Sequence, residues 1–229
     1  KEKNPNVVIV VAYGQIIPKK FLDLPKVIFL NIHASILPKW RGAAPIQRAI
    51  MNLDKESGIS IMKIVSKLDA GPVMMKSKVD ISKETNYIDL SKKLSKLGAK
   101  LILKSLNLIQ NQKANFINQD EKEASYAKKI DKKESKLVWK TPAKNIVAKI
   151  NALYPNPGTW LDYRGSRIKI IKAIEVKTNG EPGQILDKNF TIACSKNAVQ
   201  ILELQKEGKK KMKTSEYLKG HDLVVGTKI

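Results

Sequence analysis

Asn31 and His33 stand two residues apart at the end of the apolar run VIFL, within NIHASILPKWRGAAPIQRAI. Alternation along a strand puts both side chains on one face. An amide can donate to an oxygen that gains negative charge, and an imidazole can take or give a proton near neutral pH. A carboxylate is the natural third member, to orient the imidazole. Asp69 in the turn KLDAG is the best placed, since a hairpin carries it at a loop tip. Asp80 ends a strand and Asp89 opens a helix, so both suit the task less well. Each of the three also has a plain structural reading. Asn31 can tie down a strand end, His33 can be half-buried and satisfied by backbone, and Asp69 can form a turn beside Gly71. The histidines are His33 and His221, and Cys194 is the one cysteine, so no metal site is expected. No GxSxG elbow accompanies Ser35, which argues against a Ser-His-Asp hydrolase.

The elements that must position these residues show in the hydropathy pattern. VVIVVAYG (7–14) and VIFLNIH (27–33) are continuous apolar runs, as in parallel strands covered on both faces. Ligands of such sheets bind beyond the carboxyl ends of the strands, where Asn31 and His33 lie. AAPIQRAIMNL reads as a short helix with Pro45 in its first turn. GISIMKIV and VMMKSKVDI read as a hairpin around Asp69. Over 89–110 the pattern predicts an amphipathic helix, with Leu90, Leu94, Leu97, Leu101 and Leu108 on one side. Lys92, Lys93, Lys96, Lys100 and Lys104 form its solvated face. Two parallel runs make a small sheet, and roughly 60–80 residues of further βα units are expected upstream. The polar stretch 115–133 reads as a linker. A helix is expected at 141–152, capped by Thr141 with Pro142 just inside. TWLDY, RIKIIKAIEV, GQILD, FTIACS and AVQILELQ follow as short strands separated by turn signals, which suggests a small β-barrel or sandwich.

Composition narrows the partners. The net charge is +22, with +12 over residues 1–114 and +10 over 115–229, and such a field attracts polyanions. The plain alternative is solvated lysine, since 39 Lys accompany only 4 Arg and phosphate contacts usually enlist more Arg. A hydrophobic content of 42% without a long apolar run predicts a soluble globular protein with no membrane segment. KEKNPN does not read as a leader. The single Cys194 fits a reducing, cytoplasmic compartment.

LNIHASILPKWRGAAPIQRAI resembles the signature of the 10-formyltetrahydrofolate-dependent formyltransferases. The likeness extends through GISIMKIVSKLDAGPVM, YPNPGTW and LELQKEGKKKM, and so spans most of the chain. HxSxLP is common to the folate formyltransferases, whereas WRGAAPI and LQxEGKKxM resemble the branch that formylates methionyl-tRNA. The resemblance implies a Rossmann-like α/β formyltransferase domain over 1–114, a linker over 115–133 and an OB-like tRNA-binding β-barrel over 134–229. It implies Asn31, His33 and Asp69 as the catalytic trio, and 10-formyltetrahydrofolate as co-substrate without a metal. Ser35, Ile36, Leu37 and Pro38 match the folate-binding segment, and Gln15, Ile16 and Ile17 the pterin-pocket segment. The acceptor is expected to be initiator methionyl-tRNA, held by Arg41 near His33 and by Lys209, Lys210 and Lys211, on a monomeric enzyme. Ile36, Ala70 and Pro72 depart mildly from the family pattern. The alternatives are a formyltransferase acting on glycinamide ribonucleotide or an amino sugar, which needs no such charge, and a non-catalytic OB-type nucleic-acid module. The second is weakened by the few aromatic residues offered for base stacking, Tyr154, Trp160, Tyr163, Phe190 and Tyr217.

Overall fold

The two apolar runs pair side by side in the computed structural model, which describes residues 4–229. β1 (Val7–Val10) runs parallel to β2 (Ile28–His33), joined through the short helix α1 (Lys19–Leu22). After α2 (Pro45–Met51), β3 (Glu56–Lys63) and β4 (Val73–Asp80) complete the sheet as an antiparallel hairpin, in the order β1-β2-β3-β4. β1 is shorter than its apolar run: the chain leaves the sheet after Val10, and Val11 is already exposed. The rest of β3 lies buried between its exposed ends, Glu56 and Lys63, as a strand covered on both faces should. One cover is α3 (Tyr87–Gln110), which buries Leu90, Leu94, Gly98, Leu101, Ile102 and Ser105 and leaves its five lysines at 92, 93, 96, 100 and 104 exposed. Gly98 lets α3 approach the sheet: a Cβ there would lie 3.0 Å from Ile32 Cγ2. Leu97 and Leu108 fall at the margin of the stripe and are only half-buried.

The chain separates into two compact units. The first comprises Lys1–Ala49, Asp54–Ser82 and Asp89–Lys129, and the second Ile50–Leu53, Lys83–Ile88 and Ile130–Ile229. In the second, α4 (Ala143–Leu153) precedes β5 (Thr159–Tyr163), β6 (Ser166–Val176), β7 (Thr191–Ala193), β8 (Ala198–Lys206), β9 (Met212–Lys213) and α5 (Thr214–Tyr217). These strands form one antiparallel sheet in the order β5-β6-β8-β7, with β9 on β8. Ile146 and Ile150 of α4 pack with Ile168, Ile170, Val199 and Leu204 of the sheet in one hydrophobic core. The register of β6 slips near Lys172, a bulge of the sort that bends a long strand.

Local expectations fail in this unit for local reasons. Thr141 is not the cap of α4: the helix begins at Ala143 behind an extended Pro142, whose carbonyl takes the Ile146 N–H at 3.2 Å. GQILD forms isolated bridges, Gln184 to Lys228 and Ile185 to Ile192, in place of a strand. Trp160 is half-buried on β5, with the Arg167 guanidinium 4.1 Å and the Lys136 ammonium 5.5 Å from its ring centre. His221 stacks on Tyr217 at 4.1 Å and donates from Nδ1 to the Tyr217 carbonyl.

Candidate active site

β2 ends at His33 and presents Asn31 and His33 on one face, while Ile32 faces α3 on the other. Asp69 comes from the turn between β3 and β4. Its Oδ1 lies 3.4 Å from Asn31 Nδ2, and its Oδ2 lies 3.6 Å from His33 Nδ1. The Gly42 N–H donates to the same Oδ2 at 2.8 Å. His33 is 5% exposed, so its ring must be satisfied internally. Nε2 lies 2.9 Å from the Trp40 carbonyl oxygen. A carbonyl only accepts, so Nε2 carries a hydrogen, and Nδ1 is left facing the carboxylate.

Strain marks the same place. Asp69 has φ 46° and Trp40 φ 62°, left-handed values that cost a non-glycine residue about 1–3 kcal/mol and persist only where surroundings hold them. Trp40 is held by its indole, which donates to Asp54 Oδ2 at 2.7 Å, and by the Ser125 hydroxyl on its main-chain N–H.

The segment Ser35–Pro38 leaves β2 and is fixed chiefly through main-chain groups. Ser60, at the centre of β3, donates to the Ser35 carbonyl at 2.7 Å and accepts from the Leu37 N–H at 3.0 Å. Ser35 itself donates to the Lys39 carbonyl, and the Lys76 ammonium donates to the Leu37 carbonyl. Lys76 is exposed along its stem, and desolvation where its ammonium meets that carbonyl lowers its pKa. Ser60 and Lys76 escape the sequence reading, although a lone serine inside the buried run GISIM is a detectable signal. Gln15 and Ile16 lie exposed beyond β1, with Ile17 half-buried. Ile16 offers exposed apolar surface, and main-chain hydrogen bonds fix the run 35–38.

Arg41, expected to reach a polyanion, is instead fully buried. Its Nε and Nη2 donate to Gln119 Oε1 at 3.1 and 2.9 Å, and its two Nη groups donate to Glu121 at 3.1 and 2.9 Å. Burial of a guanidinium is tolerated only when its donors are filled in this way. The segment expected as a linker supplies those partners. Arg41 N donates to the Ser125 carbonyl, the Ala127 N–H returns to the Arg41 carbonyl at 2.7 Å, and Ile117 pairs with Val73. Lys209, Lys210 and Lys211 are exposed in the turn between β8 and β9, in the second unit. Among the described residues no group of His, Cys, Asp and Glu has the arrangement of a metal site, and no helix is long and apolar enough to cross a membrane.

The formyl transferase profile matches residues 1–106, and the formyl transferase C-terminal domain profile matches 129–222. The methionyl-tRNA formyltransferase of Pelagibacter ubique (strain HTCC1062) is 45% identical, across 100% of this chain and 74% of its own length. That of Bradyrhizobium diazoefficiens is 42% identical, across 96% of this chain and 72% of its own. HypX from Aquifex aeolicus, solved in complex with tetrahydrofolic acid, superposes with a TM-score of 0.71 at 19% identity, over 93% of this chain and 38% of that one. The sugar 3N-formyl transferase WlaRD, solved in the presence of dTDP and 5-N-formyl-THF, gives 0.69 at 22% identity, over 88% and 73%. At such identities the structural likeness speaks to the fold alone.

Proposed function

This chain belongs to the methionyl-tRNA formyltransferase family, and on that premise we propose that it transfers a formyl group from 10-formyltetrahydrofolate to the α-amino group of initiator methionyl-tRNA, for translation initiation. The bound donor supplies the formyl carbon: its C–N bond breaks as the amine bonds that carbon, and the amine's proton passes on to the departing nitrogen. In this reading Asn31 turns an Nδ2 hydrogen to the formyl oxygen as negative charge develops there. His33 holds the proton in transit at Nδ1, and Asp69 orients the ring and balances its charge. Ser35–Pro38 and the exposed run Gln15–Ile17 hold the folate. The catalytic domain is the first 114 residues together with the packed stretch up to Lys129, and 134–229 form an OB-like barrel whose Lys209–Lys211 turn meets the tRNA. The enzyme works as a cytoplasmic monomer without metal or membrane.

The observation that carries this reading is the Asp69 carboxylate within 3.4 Å of Asn31 Nδ2 and 3.6 Å of His33 Nδ1. It is tested by offering 10-formyltetrahydrofolate with methionyl-tRNA, glycinamide ribonucleotide or an amino-sugar nucleotide. Formylation of the tRNA alone is expected. Asn31→Ala should lower the rate about 10²–10³-fold, the usual cost of one oxyanion donor. Near-parent rates in both Asn31→Ala and His33→Ala would discard the mechanism.

A further inference from the structure

Asp69 is gripped from outside its own hairpin. Gln119 Nε2 donates to the carbonyl oxygens of Asp69 and Gly71, each at 2.8 Å, and so spans the turn at the strained residue. Gln119 is in turn oriented by Arg41, whose Nε and Nη2 both donate to its Oε1. That pairing fixes which end of the amide faces the turn, because an acceptor toward Arg41 leaves only the NH₂ end for the carbonyls. Gly42, next to Arg41, donates from its N–H to the Asp69 carboxylate at 2.8 Å. Arg41 therefore governs Asp69 through Gln119 at the backbone and through Gly42 at the carboxylate. The remaining guanidinium edge is anchored on Glu121, which also accepts from Lys67 of the same turn at 2.6 Å. A buried arginine is poor at adding stability, since apolar groups of like volume commonly serve as well, but it specifies geometry sharply.

We infer that Arg41 and Gln119 are positioning residues for the proposed formyl transfer, fixing where Asp69 meets Asn31 and His33. The inference rests on that reading of the site, and its test separates the two. Gln119→Glu keeps an acceptor for Arg41 and turns lone pairs toward the Asp69 and Gly71 carbonyls. Arg41→Lys keeps a charge beside Glu121 and loses the fork on Gln119. Each variant of the 229-residue chain is measured for turnover with 10-formyltetrahydrofolate and methionyl-tRNA, and by NMR at the Gly42 amide and the His33 ring nitrogens. Both should lower kcat about 10–100-fold, the cost of a small misplacement, with KM values within about twofold of the parent. The Gly42 amide proton should move upfield and exchange faster, and the His33 15N signals should shift. Should the parent chain show no turnover, the resonances decide the inference by themselves. Unmoved Gly42 and His33 signals in both variants overturn it, as does a kcat loss accounted for by a smaller folded fraction. Should Gln119→Glu not fold, Arg41→Lys decides on the same signals.

Discussion

The Glu121 carboxyl is held down to about 2, from an ordinary 4.5, first by the hydrogen bond from Arg41 and then by that from Lys67. A carboxyl depressed in the folded state contributes stability that is full above the ordinary value and fades as pH falls through the folded one. Its side chain is 53% exposed, so solvent screens the effect and keeps it modest. The difference in Tm between this chain and Glu121→Gln should thus be widest near neutral pH. It should narrow steadily as pH drops from 4.5 to about 2. Melting curves over that interval check it, and a difference indifferent to pH would mean that charge plays no part. Sequence alone brought Asn31, His33 and Asp69 to attention because strand alternation and a turn signal are local. It could not foresee Arg41's burial, because Glu121 lies 80 positions away and nothing local distinguishes a buried arginine from a solvated one. Gln119 was equally hidden, as a single amide in a polar stretch without period. The tie from His33 to the Trp40 carbonyl depends on a left-handed backbone that no residue type announces.

Between β3 and β4 the chain closes so tightly that Gly71 has no room for a side chain: a Cβ there would lie 1.8 Å from the Lys63 carbonyl oxygen. Gly42 is similarly committed, with φ +114° and a Cβ position 2.9 Å from the Ala127 carbonyl oxygen. Gly71→Ala must therefore push the two strand ends apart just beside Asp69. Destabilisation at the upper end of the range for point mutants, about 3 kcal/mol, is expected in chemical unfolding. A loss below about 0.5 kcal/mol would show that the turn relaxes freely. Strands and helices with strong periods could be read directly: β2, the β3–β4 hairpin, α3, β5, β6 and β8 fall where hydropathy puts them. Weak or short elements could not. β9 covers only Met212–Lys213, too little for any period to register. GQILD has strand composition but finds only single bridging partners. At α4 the Thr-Pro pair suggests a cap one residue early, because Pro142 adopts the extended conformation that a capping residue needs.

Across the whole molecule the charge of +22 is carried by side chains that are mostly solvated, and Arg41 is a specific exception. For tRNA binding the testable element is the exposed Lys209–Lys211 turn. Phosphate pairing releases counterions, so neutralising these three lysines to alanine should flatten the dependence of log affinity on log salt, by roughly 0.7–0.9 for each lysine–phosphate pair removed. Titration of tRNA at several salt concentrations measures this, and an unchanged slope and affinity would leave the turn without a role. The clamp on Asp69 has a consequence in time as well as in space. Arg41 and Gln119 are separated by 78 positions. At a synthesis rate of about 5–20 residues per second, Arg41 waits on the order of 4–16 s on the ribosome before its partner exists. By the end of that interval Asn31, His33 and Asp69 have all been polymerised, whereas the guanidinium has only then met its side-chain acceptors. A prematurely terminated product ending in α3 would carry the three residues and lack the Gln119 and Glu121 side chains that tie Arg41 to the Asp69 turn.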